Sequence, residues 1–401
     1  MSQSTRQRIL AINVGSSSLK ISRYRLDNGL HLDLTASAER IGRSGSRVRI
    51  ATGDGTSILD RSEPLSSHPA ALSTILDAIQ PSDSRNDIVA VGHRVVHGGR
   101  LYSQPQPITD TVVADLGNLI PLDPDHLPQT IAVIAAARHH LPHIPHIACF
   151  DTAFHATMPP VARRYPLPRR FVDQGVVRYG FHGLSYESIV HELRERGPLP
   201  SRLVVAHLGS GASMAAIRDG QSVETTMGFT PTGGLMMGTR TGDIDPGVLL
   251  YLLQHESLGA GAVSDLVNHG SGLLGVSGRS ADIRDLLGRM PDDTDAAAAV
   301  ELFCYTARKA IGSLAAVLGG LDELVFTGGI GEHAAAVREE ICAGLGFLDI
   351  RIDPDRNTAN APTISRDDAS VPVRVIRSDE NRMIARHTRR LTQGALYDVR
   401  V

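Results

Sequence analysis

The sequence predicts an α/β protein of two lobes, each a mixed sheet flanked by helices, with an active-site cleft between them. Three observations carry that prediction. An apolar strand, a turn of small residues and a second apolar strand occur at Ile9–Ile21 and again at Leu203–Ala215. Strand-like and helix-like stretches alternate after each of these openings. A length of 401 residues, 42% of them hydrophobic, exceeds what one core ordinarily supports and is enough to fill two.

The first opening reads Ile-Leu-Ala-Ile-Asn-Val-Gly-Ser-Ser-Ser-Leu-Lys-Ile from Ile9, the second Leu-Val-Val-Ala-His-Leu-Gly-Ser-Gly-Ala-Ser-Met-Ala from Leu203. With Gly15 set on Gly209, 194 residues further on, the one polar residue of each first strand, Asn13 or His207, falls in register. Either stretch alone reads as an ordinary β-hairpin. Their recurrence points to a duplicated grip for a polyphosphate, because small side chains and backbone N–H groups at a turn let a phosphate approach closely. Strands are expected at Ile9–Val14, Leu19–Leu26 and Val48–Ala51, then a helix near Pro69–Ile79, a strand at Ile88–Val96, a helix over His126–His140 and a strand at Ile147–Asp151. Pro159–Arg170, rich in Pro and Arg, reads as a surface connection. After the second hairpin come helices near Gly247–His255 and Asp295–Leu318, a strand at Leu324–Thr327, a helix from about Ala334, a strand at Val373–Arg377 and a last helix from about Glu380. The lobes are expected to cover 1–150 with about 381–401, and 151–380.

The charge balance, 40 basic against 43 acidic residues, gives no footprint for nucleic acid or an anionic membrane, so a phosphate must be held locally. Lys20 and Lys309 are the only lysines. Cys149, Cys304 and Cys342 are odd in number and widely spaced, which suits core residues in a reducing cytoplasm and not a disulfide framework or a zinc site. No stretch is long and apolar enough to span a bilayer.

No G-x-x-x-x-G-K-[ST] sequence is present, which excludes a P-loop. Gly329-Ile330-Gly331 after the strand Leu324–Thr327, with Asp349 further on, mimics part of a dinucleotide fingerprint, but too little chain follows for that domain, and a glycine-rich loop meeting a nucleotide at a helix N-terminus is preferred. The block Met227–Gly247 has neither helix nor strand periodicity, and a long irregular stretch inside a compact domain is commonly functional. Arg240 stands there among small residues that leave its guanidinium able to fork onto a carboxylate or phosphate. Arg94 lies at a strand end before Gly98-Gly99, where a surface salt bridge is the competing reading. Asp151 and His182 adjoin aromatic residues, where a turn or cap and a satisfied core histidine are the competing readings.

Together these blocks resemble the acetate and propionate kinase family, in the wider group of sugar kinases, actin and related ATPases. The likeness runs from about Ile9 to Thr388 and is carried by Asn13–Lys20, Gly92–Gly99, Asp151–His155, Arg178–Gly183 and, most specifically, Gly234–Pro246. It implies two actin-like (ribonuclease H-like) lobes, an enzyme that moves a phosphoryl group reversibly between ATP and acetate to give ADP and acetyl phosphate, Mg²⁺ or in its place Mn²⁺, and a homodimer formed through the second lobe. It further implies that Asn13, Ser16, Ser18 and Lys20 face the β- and γ-phosphates and metal, and that Arg94 and Arg240 hold the acyl carboxylate and the transferring group. Asp151 and Glu380 would position the metal, His182 the phosphoryl oxygens, and His207, Gly209, Ser210 and Gly211 the phosphates. Asp282 and Arg284 with Gly329, Ile330 and Gly331 would bound the adenosine, and Val96, Leu122, Phe181 and Pro231 the acyl pocket.

The chemistry agrees with that set. A carboxylic acid with a pKa of roughly 4 is ionised at neutral pH, so no general base is required. The obstacle is one anion attacking another, and alignment with charge neutralisation removes it. The chain departs from the family at Ser210 and His333, at Ile120–Pro128, and at Tyr186, which stands where the family has His. A propionate or butyrate kinase and, from another class, an actin-like ATPase with no carboxylate substrate are the alternatives.

Overall fold

The computed structural model describes residues 7–79 and 87–398, the last six by backbone alone. Two compact units result: Met1–Ala153 with Asp379–Val401, and Phe154–Ser378.

The first unit holds β1 (Arg8–Val14), β2 (Ser18–Arg25), β3 (His31–Glu39), β4 (Arg47–Thr52), β5 (Ser57–Ser62), β6 (Ile88–Val95), β7 (Gln106–Pro107) and β8 (His146–Phe150). They form one sheet in the order β5-β4-β3-β2-β1-β6-β8-β7, antiparallel from β5 to β1 and parallel across β1, β6 and β8. Alternation along β1 sends Leu10, Ile12 and Val14 to one face, where they pack with the His68–Ile79 and Leu127–His140 helices through Leu72, Ile75, Leu76, Val133 and Ala137. Each such buried Leu or Ile contributes roughly 1.5–3 kcal/mol. The Glu380–Asp398 helix covers the opposite face, and Gly92 of β6 explains how: a Cβ there would meet Thr388 Oγ1 at 2.2 Å and Ile384 Cγ2 at 2.5 Å.

The second unit holds β9 (Arg202–Leu208), β10 (Ala212–Arg218), β11 (Gln221–Thr225), β12 (Glu323–Thr327) and β13 (Val373–Val375), in the order β11-β10-β9-β12-β13. As in the first unit, the hairpin's first strand pairs in parallel with a later strand, here β9 with β12. Leu203 and Val205 of β9 and Ala215 and Ile217 of β10 face the Gly183–Arg196 helix, whose Tyr186, Ile189, Val190 and Leu193 complete that core.

The hairpins agree along their first strands and part at the turn: Val14 pairs with Leu19, but Leu208 pairs with Ala212, so the second turn is one residue shorter. The expected elements are present with ends displaced by a residue or two, as fraying ends allow. Pro159–Arg170 is not a bare connection, since helices form at Pro160–Arg163 and Arg169–Asp173. β3, β5, β7 and β11 are additions to the sequence reading. β3 alternates apolar and polar residues from Leu32 to Ala38, a strand period that the sequence reading passed over, whereas β5 is an edge strand that buries nothing and presents no such period.

Candidate active site

In the first unit, β1 and β6 run in parallel with Ile12 opposite His93, so the next residues, Asn13 and Arg94, stand side by side near the carboxyl ends of neighbouring strands. Alternation turns them to the face under the Glu380–Asp398 helix. Asp151 follows the last residue of β8, its N–H donating to the Val95 carbonyl at 2.9 Å. Arg94 Nε and Nη2 donate to Asp151 Oδ2 at 2.9 and 2.6 Å, and Nη1 donates to Asn13 Oδ1 at 3.1 Å. Asn13 Nδ2 in turn donates to Glu380 Oε2 at 2.8 Å, and that oxygen lies 3.9 Å from Arg94 Nε. Asp151 is fully buried and the Arg94 side chain 14% exposed, so this is no surface salt bridge, and Asp151 is an ion-pair partner instead of a cap. Burial alone would push the Arg94 guanidinium down; Asp151, Glu380 and Asp123 outweigh it and hold the group above its ordinary range.

Ser16, Ser18 and Lys20 belong to the β1–β2 turn and the start of β2, Ser16 and Lys20 exposed and Ser18 half-buried. Lys20 pairs across the hairpin with Asn13. The turn is closed by Gly15 N–H on the Ser18 carbonyl at 2.8 Å, and His68 Nε2 lies 2.9 Å from the Gly15 carbonyl.

In the second unit, His207 and Ser213 pair across β9 and β10 and face the start of the Gly183–Arg196 helix. His182 precedes that helix in the left-handed conformation, with φ of 60°. Its ring lies over that of His207 with centroids 4.4 Å apart, its Nδ1 is 2.8 Å from Ser213 Oγ, and His207 Nδ1 is 2.8 Å from Ser185 Oγ. Ser213 Oγ also bonds the Tyr186 hydroxyl. A Cβ on Gly211 would lie 3.4 Å from His182 Nε2 and 3.6 Å from Arg240 Nη1, so a glycine keeps open the approach to both groups.

Arg240 stands in the irregular block, which is firmly tied. Arg178 Nη1 donates to the carbonyls of Thr225, Thr226 and Met227, and Gly234 and Asp243 bond each other twice. Leu235, Met236 and Met237 are buried, and the Met237 and Gly238 carbonyls accept from Leu273 and Leu274 N–H. Arg240 Nη1 donates to the Pro231 carbonyl at 3.2 Å. Gly238 adjoins the phosphate-type turn, its N–H on the carbonyl of exposed Ser210 at 3.1 Å, and its missing Cβ would face Ala281 O at 3.2 Å.

Asp282 caps the Ile283–Arg289 helix and forks onto Arg284, whose side chain is 84% exposed. Gly329, Ile330 and Gly331 belong to the short Gly328–His333 helix directly after β12, whose Thr327 pairs with His207. Gly329 is exposed with open space around it; Ile330 and Gly331 are buried. Of the acyl-pocket set, Val96 and Phe181 are buried and Leu122 and Pro231 half-buried. Phe181 is fixed through its carbonyl by His155 Nε2 at 3.0 Å.

Ser213, Ser185 and Asp123 take part in these networks and were not singled out from sequence. Ser213 carried one usable signal, its place across from His207 once the hairpin register is known. Asp123 lies just past Leu122, is 2% exposed and receives His126 Nδ1 at 2.7 Å.

Among the described residues, no three His, Cys, Asp or Glu side chains are grouped to cage a metal ion. The oxygens present suit a different mode. Asp151, Glu380 and Asn13 offer hard donors of the kind that hold Mg²⁺ by one or two carboxylates, with waters and substrate phosphates completing the shell.

The sequence model described as the Acetokinase family matches residues 8–386. The chain is 47% identical to the acetate kinase of Methylocella silvestris over 95% of this chain and 96% of that protein, and 45% identical to that of Rhodopseudomonas palustris over 96% and 98%. Among solved structures, Porphyromonas gingivalis acetate kinase superposes with a TM-score of 0.85 at 37% identity, covering 96% of this chain and 99% of that one. A propionate kinase from Francisella tularensis superposes with a TM-score of 0.88 at 32% identity over 96% and 100%. The paired hairpins and the arginine-bearing blocks around Arg94 and Arg240 are thus those of a known lineage, and the chain belongs to the acetokinase family.

Proposed function

We propose that the protein transfers the terminal phosphoryl group of ATP to acetate, reversibly, by direct in-line displacement. The observation that carries this reading is the segregation of charge: Arg94 braced by Asp151, Asn13 and Glu380 in one unit, and His182 and Arg240 flanking Gly211 in the other. A carboxylate attacking a phosphate needs cations on both reactants, and each unit supplies one arginine.

In this mechanism Arg94 receives the acetate carboxylate. Asp151 and Asn13 hold the guanidinium plane fixed, so its orientation is set before substrate arrives. His182 and Arg240 donate to the transferring phosphoryl oxygens, where charge develops. Ser16, Ser18, Lys20, Gly209, Ser210 and Gly211 hold the polyphosphate through turn amides and short side chains, and the Gly329–Gly331 helix with Asp282 and Arg284 bounds the adenosine. Asn13, Asp151 and Glu380 would hold Mg²⁺, which when bound neutralises phosphate charge. Val96, Leu122, Phe181 and Pro231 set the acyl length. An added methylene is worth about 0.8 kcal/mol, or roughly 4-fold, so propionate remains a second substrate reading, favoured by the propionate kinase superposition.

A homodimer through the second unit is supported by the Pro246–Gln254 helix, which buries none of its residues and leaves Val248, Leu250, Tyr251 and Leu253 exposed. A cytoplasmic location is supported by the burial of Cys149, Cys304 and Cys342 as thiols; burial pushes those of Cys304 and Cys342 up to about 12. No described helix is long and apolar enough to cross a membrane. The test is a hydroxamate assay for acyl phosphate with ATP and acetate, propionate or butyrate. Acyl phosphate with acetate foremost is expected; ATP hydrolysis indifferent to any carboxylate would overturn the reading.

A further inference from the structure

The Glu380–Asp398 helix carries a second charged surface beyond its first residue. Arg382, Arg386, Arg389 and Arg390 fall at i, i+4, i+7 and i+8 and so share one stripe. Facing them is the turn between β2 and β3, where Asn28 takes a left-handed φ of 48° and Gly29 and Leu30 follow. Gly29, Leu30 and the four arginines together line a cavity of about 330 Å³. Arg382, Arg386 and Arg389 are half-buried, so their mutual field is less screened than on an open surface. The carboxylates beside the cavity along these two elements are engaged: Asp27 pairs with Arg25 at 2.7 Å, and Asp379 accepts the Arg382 backbone N–H at 2.9 Å. Like charges at this spacing repel one another, and Arg390 Nη2 lies 3.3 Å from His387 Nδ1 on the same helix.

We propose that this groove binds a compact polyanion bearing two or more phosphate groups. Guanidinium forks match phosphate oxygens in pairs, and four of them on one wall match a multiply charged ligand better than a single phosphate. The cavity is at the small end of ligand pockets and is lined by no aromatic side chain, so it offers no platform for a nucleotide base. The net charge of −3 for the whole chain disfavours a nucleic acid or an anionic membrane as the occupant. The proposal is independent of the phosphoryl-transfer reading, since no lining residue belongs to that machinery.

The test is calorimetric titration of the full chain with pyrophosphate at constant ionic strength, with excess ADP present to fill the nucleotide site. One saturable site per chain is expected, weakened at least tenfold in Arg389→Ser/Arg390→Ser and in the single variant Arg390→Glu, together with a pyrophosphate-dependent rise in melting temperature that both variants lack. Kinase activity without pyrophosphate should be unchanged in both. Equal pyrophosphate binding by wild type and variants, or an effect that tracks ionic strength alone, would overturn the proposal. So would variant-sensitive binding to anionic lipid vesicles in the absence of a saturable pyrophosphate site.

Discussion

The two hairpins share a frame and differ in chemistry. In each, the residue before the last of the first strand is polar, a small-residue turn follows, and the N-terminus of a helix lies against that strand end: Glu380 bonds Asn13, and Ser185, in the first turn after His182, bonds His207. The first unit places two carboxylates and a carboxamide around one arginine. The second places two stacked imidazoles and an arginine along a glycine turn, His207 beside Gly209 and His182 with Arg240 beside Gly211. A repeated backbone therefore fixes where side chains converge, and the residues at a few strand ends decide whether that point attracts cations or anions.

Removing either arginine tests that division most severely. Arg94→Ala and Arg240→Ala should each lower kcat on the order of 10³-fold in the hydroxamate assay, by analogy with other cations that stabilise phosphoryl transfer. Their stabilities should differ. Arg94→Ala strands fully buried Asp151 and should cost about 3–5 kcal/mol in denaturant melts, whereas Arg240→Ala removes contacts with the Pro231 carbonyl and the Met237 sulfur, neither of them a charged group, and should cost less. Equal melting behaviour of the two variants would erase the distinction between a braced arginine and a loop-borne one.

Acid should weaken both units through buried imidazoles that stand next to the site residues. Burial lowers His155 from 6.5 to about 4, and burial with the neighbouring His146 lowers His93, the residue before Arg94. The unfolded chain binds a proton at these positions that the folded chain refuses, so stability falls as pH drops below 6.5 and the His155 contribution is gone by about 4. For His155 that contribution is roughly 3 kcal/mol at neutral pH. His155→Gln keeps a donor for the Phe181 carbonyl and removes the titration, so its melting temperature should decline less steeply from neutral pH to about pH 4.5; an unchanged slope would assign the acid sensitivity elsewhere.

The fold was readable wherever apolar period and turn chemistry coincided. The hairpin at Asn13–Lys20 and the parallel strands of each unit are of that kind. β5 was not, because a strand left on an edge buries no face, and β3 was passed over although Leu32–Ala38 alternates apolar with polar residues. In the site, Arg94, Asp151, Arg240 and His182 stood out through their glycine and aromatic neighbours. Ser213 and Asp123 did not, because a serine in a strand and an aspartate in a proline-rich turn have ordinary local explanations. Their importance comes from partners far away in sequence, His182 across 31 residues in one case and the field on Arg94 in the other.

Two glycines sharpen the contrast at lower cost. Gly92→Ala drives a methyl into Thr388 and Ile384 and should destabilise the first unit by about 1–3 kcal/mol, displacing the helix that begins at Glu380. Gly211→Ala meets nothing closer than 3.4 Å and should leave the melting temperature unaltered while raising KM for ATP, because the methyl occupies the space in front of His182 and Arg240. A stable Gly92→Ala, or a Gly211→Ala enzyme with normal KM, would mean that the backbone and not the side chains sets the two environments.

The smallest effect is expected at Tyr186. Its ring is fully buried beside His155, and its hydroxyl reaches Ser213 Oγ, which lies 2.8 Å from His182 Nδ1. The serine hydroxyl has one proton to give, so the tyrosine restricts which way it points and thereby which nitrogen of His182 carries hydrogen toward the Gly211 side. One hydrogen bond of this kind contributes about 1 kcal/mol, so Tyr186→Phe should lower kcat roughly 5-fold with KM for acetate and ATP unchanged. Tyr186→His should recover part of the loss and shift the pH profile of kcat, since the introduced imidazole then reaches His182 through the serine. A Tyr186→Phe enzyme whose kcat and pH profile both match the parent would reduce the tyrosine to a packing residue and leave Ser213 alone in charge of the imidazole.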